Sequence, residues 1–187
     1  MRTIVLATLL LALVSPLLAE DAPKAVPFKQ LQEYLPAATV AEFERKKPEG
    51  ESMAMNNMAI SHAKVEYVRE KEEQNVTIRA EITDYSDVNV AAPFTAAFAM
   101  SFEREADGQR TRTLKVKDKY KGIEEVSTDK DNPGCKLTFA VSGRVLVHLE
   151  VSGSSDLKLI AAMVDSMALD KLAAATAAGA APAPAPK

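Results

Sequence analysis

The 187-residue chain holds one cysteine, Cys135, so no internal disulfide can staple it and a hydrophobic core must hold it together. A basic excess is also missing. Against 23 Lys and Arg stand 26 Asp and Glu, a formal net charge of −3, which argues against a nucleic-acid binder. Neither a solenoid-type repeat nor a sustained heptad pattern is present. The nucleophile elbow G-x-S-x-G, the phosphate-binding G-x-x-x-x-G-K-[ST] and the zinc motif H-E-x-x-H do not occur. There are only two histidines, His62 and His148, and neither lies in a metal-ligand pattern. No cofactor, metal or catalytic residue is therefore expected from motifs, and an enzyme would have to assemble its site in space alone. The apolar runs fall short of the roughly 20 residues that a membrane-spanning helix needs.

The N-terminal segment bears on location. A charged Met1-Arg2-Thr3 is followed by an apolar run from Ile4 to Leu13, then Ser15-Pro16-Leu17-Leu18-Ala19 and the acidic Glu20-Asp21. That order is the pattern of a secretory signal peptide, residues 1–19, cut after Ala19. Pro16 interrupts the end of the run, and no cysteine stands at the cut to carry a lipid. The expectation is a periplasmic or secreted product with no stable membrane anchor once the leader is gone.

Residues 20–172 read as one domain. Val76, Ile78, Ala80 and Ile82 alternate with Thr77, Arg79, Glu81 and Thr83, the pattern of a half-buried strand. Residues 63–67 alternate in the same way, and the polar residues 69–74 between them make a hairpin loop. Cys135, Leu137, Phe139 and Val141, then Val145, Val147, Leu149 and Val151, give a second hairpin across Ser142-Gly143-Arg144. Residues 110–117 and 120–126 add strands, and residues 41–46 a first edge strand. Pro48-Glu49-Gly50 is a turn signal, and residues 53–58 are ambiguous.

Helical spacing marks residues 28–35. It also marks a segment from Pro93, with Phe94, Ala97, Phe98 and Phe102 facing the sheet, and ended by Ala106-Asp107-Gly108. A last helix runs from Leu157 to Leu172 behind the capping candidates Gly153-Ser154-Ser155-Asp156. The alanine- and proline-rich residues 173–187 read as a disordered tail, extended and solvated. The fold class is α+β: an antiparallel sheet of about five to seven strands, with helices packed on one face.

Pro48-Glu49-Gly50-Glu51-Ser52-Met53, the Tyr67 strand, Ile82-Thr83-Asp84-Tyr85, the segment from Phe94 to Phe102, and Arg144-Val145-Leu146-Val147 before a final helix resemble exported bacterial domains of unknown function. The resemblance spans residues 35–172. It implies an exported α+β domain and carries over no substrate or active residue.

Two clusters carry candidate chemistry. Lys115, Lys117, Lys119 and Lys121 share one parity, with Arg110 and Arg112 nearby. A strand running through all four lysines would line one sheet face with ammonium groups able to bind an acidic polymer, phosphate groups, anionic lipid or an envelope protein. The plainer reading is a solvated face that guards an edge. The second cluster is Met53, Met55 and Met58 with His62. Its thioethers suit Cu(I), which would make this a small-ligand or copper-handling protein; on one strand, however, Met58 has the wrong parity. Here the plainer reading is adaptable core filler. Cys135 has the parity of Leu137 and belongs in the core, while Asp84 and Asp87 are too generic to nominate as an acid/base pair. The leading expectation is a non-catalytic exported binding domain.

Overall fold

The computed structural model describes residues 24–55, 58–70 and 75–177. The segment expected to be a leader, 1–19, most of the expected loop at 69–74 and the expected tail beyond residue 177 lie outside the described residues. In chain order the strands are β1 (Glu44–Arg45), β2 (Glu49–Met55), β3 (Met58–Arg69), β4 (Val76–Asp84), β5 (Glu103–Ala106), β6 (Gln109–Val116), β7 (Tyr120–Ser127), β8 (Gly134–Val141) and β9 (Val145–Ser152). The helices are α1 (Phe28–Leu31), α2 (Val88–Thr95), α3 (Leu157–Ser166) and α4 (Leu169–Ala177). All strands belong to one sheet in the order β1-β3-β4-β9-β8-β7-β6-β5, with β2 also paired to β3. Every pairing is antiparallel.

Nine described strands exceed the expected five to seven, and two of the additions were hidden for separate reasons. Pro48-Glu49-Gly50 is not a free turn. Pro48 sits in the gap between β1 and β2, which pair with successive parts of β3. A residue without an N–H can be accommodated there, because an edge strand needs no donor on its outer side. β5 was hidden because residues 103–106 are polar and lack a burial pattern; they are exposed or half-exposed throughout.

Alternation fixes the register, and the register lines up rows of side chains across the sheet. One row runs Tyr67, Ile78, Val151, Cys135, Val126, Arg110, Glu105. The next runs Val65, Ala80, Leu149, Leu137, Glu124, Arg112, Glu103. Both rows begin with buried apolar or aromatic side chains and end charged. The reason lies in what covers them. α1 packs on β2 and β3, α3 on β8 and β9, and α4 on β8. Leu31, Ile160, Met163, Val164 and Leu172 join Val65, Ile82, Phe139, Val147 and Leu149 in one core cluster. Burying such side chains contributes roughly 1.5–3 kcal/mol each. None of these helices reaches β5 or β6 strongly, and there the same face turns to ion pairs.

The helix expected from Pro93 is displaced. α2 begins five residues earlier, where the Asp87 carboxylate accepts from the Asn89 backbone N–H at 2.7 Å and caps it. Pro93 lies inside the helix on an exposed turn, and a 3-10 turn, Ala96–Ala99, ends the segment. Phe94 and Phe102 do not pack on the sheet core: they are 53% and 37% exposed. Phe94 instead stacks on Tyr85 at 5.1 Å between ring centroids. Phe98 is buried, but outside the main cluster. Ala106-Asp107-Gly108 forms the reversal from β5 to β6 rather than a helix end.

The final helix divides in two. Asp156 caps α3 by accepting from the Lys158 N–H at 3.0 Å, as the capping residues suggest, but Met167 is extended (ψ 138°). α4 then runs on to Ala177, so residues 173–177 are helical. A straight helix with Ile160, Met163, Val164 and Met167 inward would turn Lys171 toward the core. The break instead buries Leu169, Leu172 and Thr176 and releases Lys171.

One buried polar group ties the chain ends of this platform together. Asp84 and Arg144 are 0% and 1% exposed in their side chains and pair at 3.0 Å. The Val26 and Ser86 backbone N–H groups also donate to Asp84, at 2.8 and 2.9 Å. Arg144 Nη1 donates to the Ser86 carbonyl at 3.0 Å and Nη2 to the Lys24 carbonyl at 3.3 Å. The ion pair therefore pins the N-terminal lead-in against the ends of β4 and β9. A buried pair of this kind persists where further hydrogen bonds satisfy most of its lone pairs and protons; here Arg144 Nε alone of the guanidinium nitrogens has no partner among the described residues.

Candidate functional site

The reversal between β6 and β7 is built from Lys117, Asp118 and Lys119. Lys117 and Asp118 have φ of 48° and 57°, and the Lys119 N–H donates to the Val116 carbonyl at 3.1 Å. Two successive left-handed residues match the twist of a hairpin. Asp tolerates that conformation better than Lys does. Because the chain reverses here, the four lysines do not form one ribbon. Lys115 faces Lys121 directly across the strand pair, an arrangement that is mildly repulsive. Lys117 and Lys119 are carried to the tip.

At that tip the turn meets the junction of α3 and α4. Together they enclose a cleft of about 310 Å³ lined by Lys117, Lys119, Tyr120, Lys171, Asp170 and the apolar Met167, Ala168 and Leu169. Three ammonium groups thus surround one carboxylate. Lys119 Nζ donates to Asp170 Oδ1 at 2.7 Å, and Tyr120 Oη donates to the same oxygen at 3.0 Å. These bonds hold the Asp170 carboxyl below its ordinary range, with Lys119 the larger cause, and raise the Lys119 ammonium above its own. Burial is the main influence raising the Tyr120 phenol. Lys119 and Asp170 remain 58% and 84% exposed, so their pair is hydrated and exchangeable. An incoming anion can take the place of the Asp170 carboxylate at little cost. The first turn of α4, Leu169 to Lys171, lines the same cleft, at the positive end of the helix dipole.

The other basic residues face elsewhere. Arg110 and Arg112 have the opposite parity from Lys115, so they lie on the covered side of the sheet. Arg112 Nε donates to Glu124 Oε1 at 2.8 Å and Arg110 Nη2 donates to it at 3.2 Å. Both are committed to the shared Glu124 carboxylate rather than to a ligand.

A second concavity, of about 210 Å³, lies by Glu125, Ser127, Asn132, Lys136, Glu150 and Ser152. Its one ammonium is already used, with Lys136 and Glu150 paired at 3.0 Å, which leaves Glu125 as the remaining charge. Burial tends to raise the Glu150 carboxyl, but the Lys136 hydrogen bond and the nearby His148 and Arg79 outweigh it and the net shift is downward.

The remaining candidates resolve as structural groups. Cys135 is buried, and burial, with Asp156 and Glu124 nearby, pushes its thiol up to about 12. Such a thiol is protonated and unreactive at neutral pH. His148 contacts Thr138 Oγ1 at 2.8 Å through Nδ1, and His62 contacts Thr83 Oγ1 at 3.1 Å. Asp84 is the core ion pair and Asp87 the α2 cap, so neither is an acid/base group in a cleft. Ser154 and Asp156 spend their oxygens capping: Ser154 Oγ accepts from the Asp156 N–H at 3.2 Å.

Sequence reasoning missed Lys171, Asp170 and Tyr120 as neighbours of the lysine turn, since 50 residues separate Tyr120 from Asp170. One signal was present. Lys171 stands at the inward phase of an unbroken helix, a position a lysine avoids, and so marks the break. No helix among the described residues is long and apolar enough to cross a membrane. Comparison with protein-family models, with curated proteins and with solved structures finds no match.

Proposed function

We propose that this chain is an exported, non-catalytic binding domain that docks an acidic partner, an anionic polymer or an acidic segment of an envelope protein, in the cleft between the β6–β7 turn and α4. The observation that carries this reading is the convergence of Lys117, Lys119 and Lys171 on one concavity in a chain whose net charge is −3. A local positive field on an acidic molecule marks a place where anions are steered and held. Beside those hydrated charges, Met167, Ala168 and Leu169 supply an apolar wall against which the carbon skeleton of an acidic partner can rest. The order of charge, apolar core and small residue at the N-terminus supports export.

The test is retention on an anionic matrix across a salt gradient. Wild-type protein elutes late and its elution shifts with salt. Lys117→Glu combined with Lys171→Glu moves it close to the void, whereas Lys115→Glu combined with Lys121→Glu, outside the cleft, changes it much less. Equal losses from the two double variants would make the effect one of overall charge and overturn the reading. Lys119 is left intact because reversing it would set two carboxylates against each other at Asp170.

A further inference from the structure

The geometry points to a soft-metal site for monovalent copper on the β2–β3 ribbon, formed by the thioethers of Met53, Met55 and Met58. As sequence, Met58 has the wrong parity to join the other two. The register removes that obstacle, because Met55 pairs with Met58 and Met53 with Ile60 across an antiparallel ladder. Directly opposed residues share a face, as do residues two apart on one strand, so all three methionines project to the same side. Opposed Cβ atoms lie about 5 Å apart and alternate residues about 7 Å apart. Flexible methionine side chains span those gaps, and three sulfurs can close around one ion.

The ribbon overhangs the platform. β4 ends at Asp84 opposite Ser61, so Met58, Ala59 and Ile60 extend past it. The reverse face is occupied: the Phe28 N–H donates to Ser52 Oγ at 3.1 Å, and Ser52 contacts Ser61 at 2.7 Å. The methionine face is open, with Met53 58% and Met55 66% exposed. These residues are therefore not core filler, which corrects the plainer reading of the sequence. Exposing such side chains forgoes roughly 1.5–3 kcal/mol of burial apiece.

His62 does not belong to the set. It lies four residues beyond Met58 on the same strand, about 13 Å along it, and its Nδ1 contacts Thr83. What remains is three neutral sulfur donors. Such a set favours Cu(I) and its analogue Ag(I) over Zn(II), Cu(II) or Mg(II), which prefer nitrogen, oxygen or thiolate. Binding releases no proton, because a thioether has none to lose.

The experiment uses the purified leader-free chain with Ag(I), and with Cu(I) under anaerobic reductant against a chromophoric chelator. The expected result is one equivalent bound and an absorption-edge spectrum showing sulfur neighbours alone. Met55→Leu and Met58→Leu should each weaken binding about tenfold or more, and the triple leucine variant should abolish it. Leucine keeps size and apolarity, so unfolding midpoints should hold, and His62→Ala and Cys135→Ala should bind as wild type. Wild-type affinity no greater than that of the triple variant, or a nitrogen- or oxygen-rich spectrum, would overturn the site. Neither result depends on the lysine cleft.

Discussion

The covered half of the sheet, β3, β4, β9 and β8, and the outer flank, β7, β6 and β5, share continuous cross-strand rows yet are stabilised differently. Along one row the face passes from Val65, Ala80, Leu149 and Leu137 to Glu124, Arg112 and Glu103. Under α1, α3 and α4 the row is dry, and hydrophobic burial supplies the stability. Beyond the helices the cover thins by steps: Val126 and Glu124 are still buried, Arg110 and Arg112 are half-buried, and Glu103 and Glu105 are exposed, so charge pairs replace aliphatic side chains toward the edge. Strand pairing alone does not decide what a sheet face must carry. The roof does.

Four measurements would sharpen that contrast or break it, and the largest effect is expected at the buried pair. Arg144→Met leaves the Asp84 carboxylate buried without its cation and should lower unfolding free energy by about 3–5 kcal/mol, read by denaturant melts. A loss near zero would show that the pair adds no net stability to the platform. Next, Leu149→Ala opens a cavity under the helices and should cost about 2–5 kcal/mol. On the flank, Glu124→Ala removes a nearly buried carboxylate shared by Arg110 and Arg112; both arginines keep access to water, so the cost should be about 1.5–3 kcal/mol, the range for a hydrogen bond to a charged group. If the flank change equalled the core change, the distinction between the halves would fail. At the exposed cleft, Asp170→Asn should leave the melting curve essentially unchanged while increasing retention on an anionic matrix, because it frees Lys119.

The smallest effect at neutral pH belongs to the Cys135 thiol, and it emerges only in alkali. The native thiol is held protonated up to about 12 against an ordinary value of 9.0. Between those values the unfolded chain has lost this proton and the native chain has not, so stability falls as pH rises. The sign is that of a raised folded-state pKa: the contribution is whole below pH 9 and disappears toward pH 12. Stability profiles of wild type and Cys135→Ala should therefore converge or cross in that window, since the variant lacks the alkaline decline from this group. Parallel profiles would place the thiol in contact with water.

Much of the platform was legible from period-two alternation. The hairpins of β3 with β4 and β8 with β9 stand where Val76 to Ile82 and Cys135 to Val151 place them, because one buried face imposes that pattern on local sequence. The 3-10 turn and displaced helix around Pro93 were not legible, since Phe94 finds Tyr85 instead of the core and no spacing rule distinguishes the two. β5 was silent because an uncovered edge strand has no apolar face to advertise. The candidate cleft was half visible. Lys117 and Lys119 stood out, but Lys171 and Asp170 reach them only through a helix break that carries neither glycine nor proline.

The sequence by itself determined the strand faces, the main turns, the buried place of Cys135 and the cap of α3, all of which depend on residues within a few positions of one another. Tertiary structure alone decided that Asp84 meets Arg144, that Met58 turns to join Met53 and Met55, and that three lysines share one cleft. Those outcomes rest on strand register and helix packing, where groups distant along the chain meet, and periodicity carries no information about which distant groups those are.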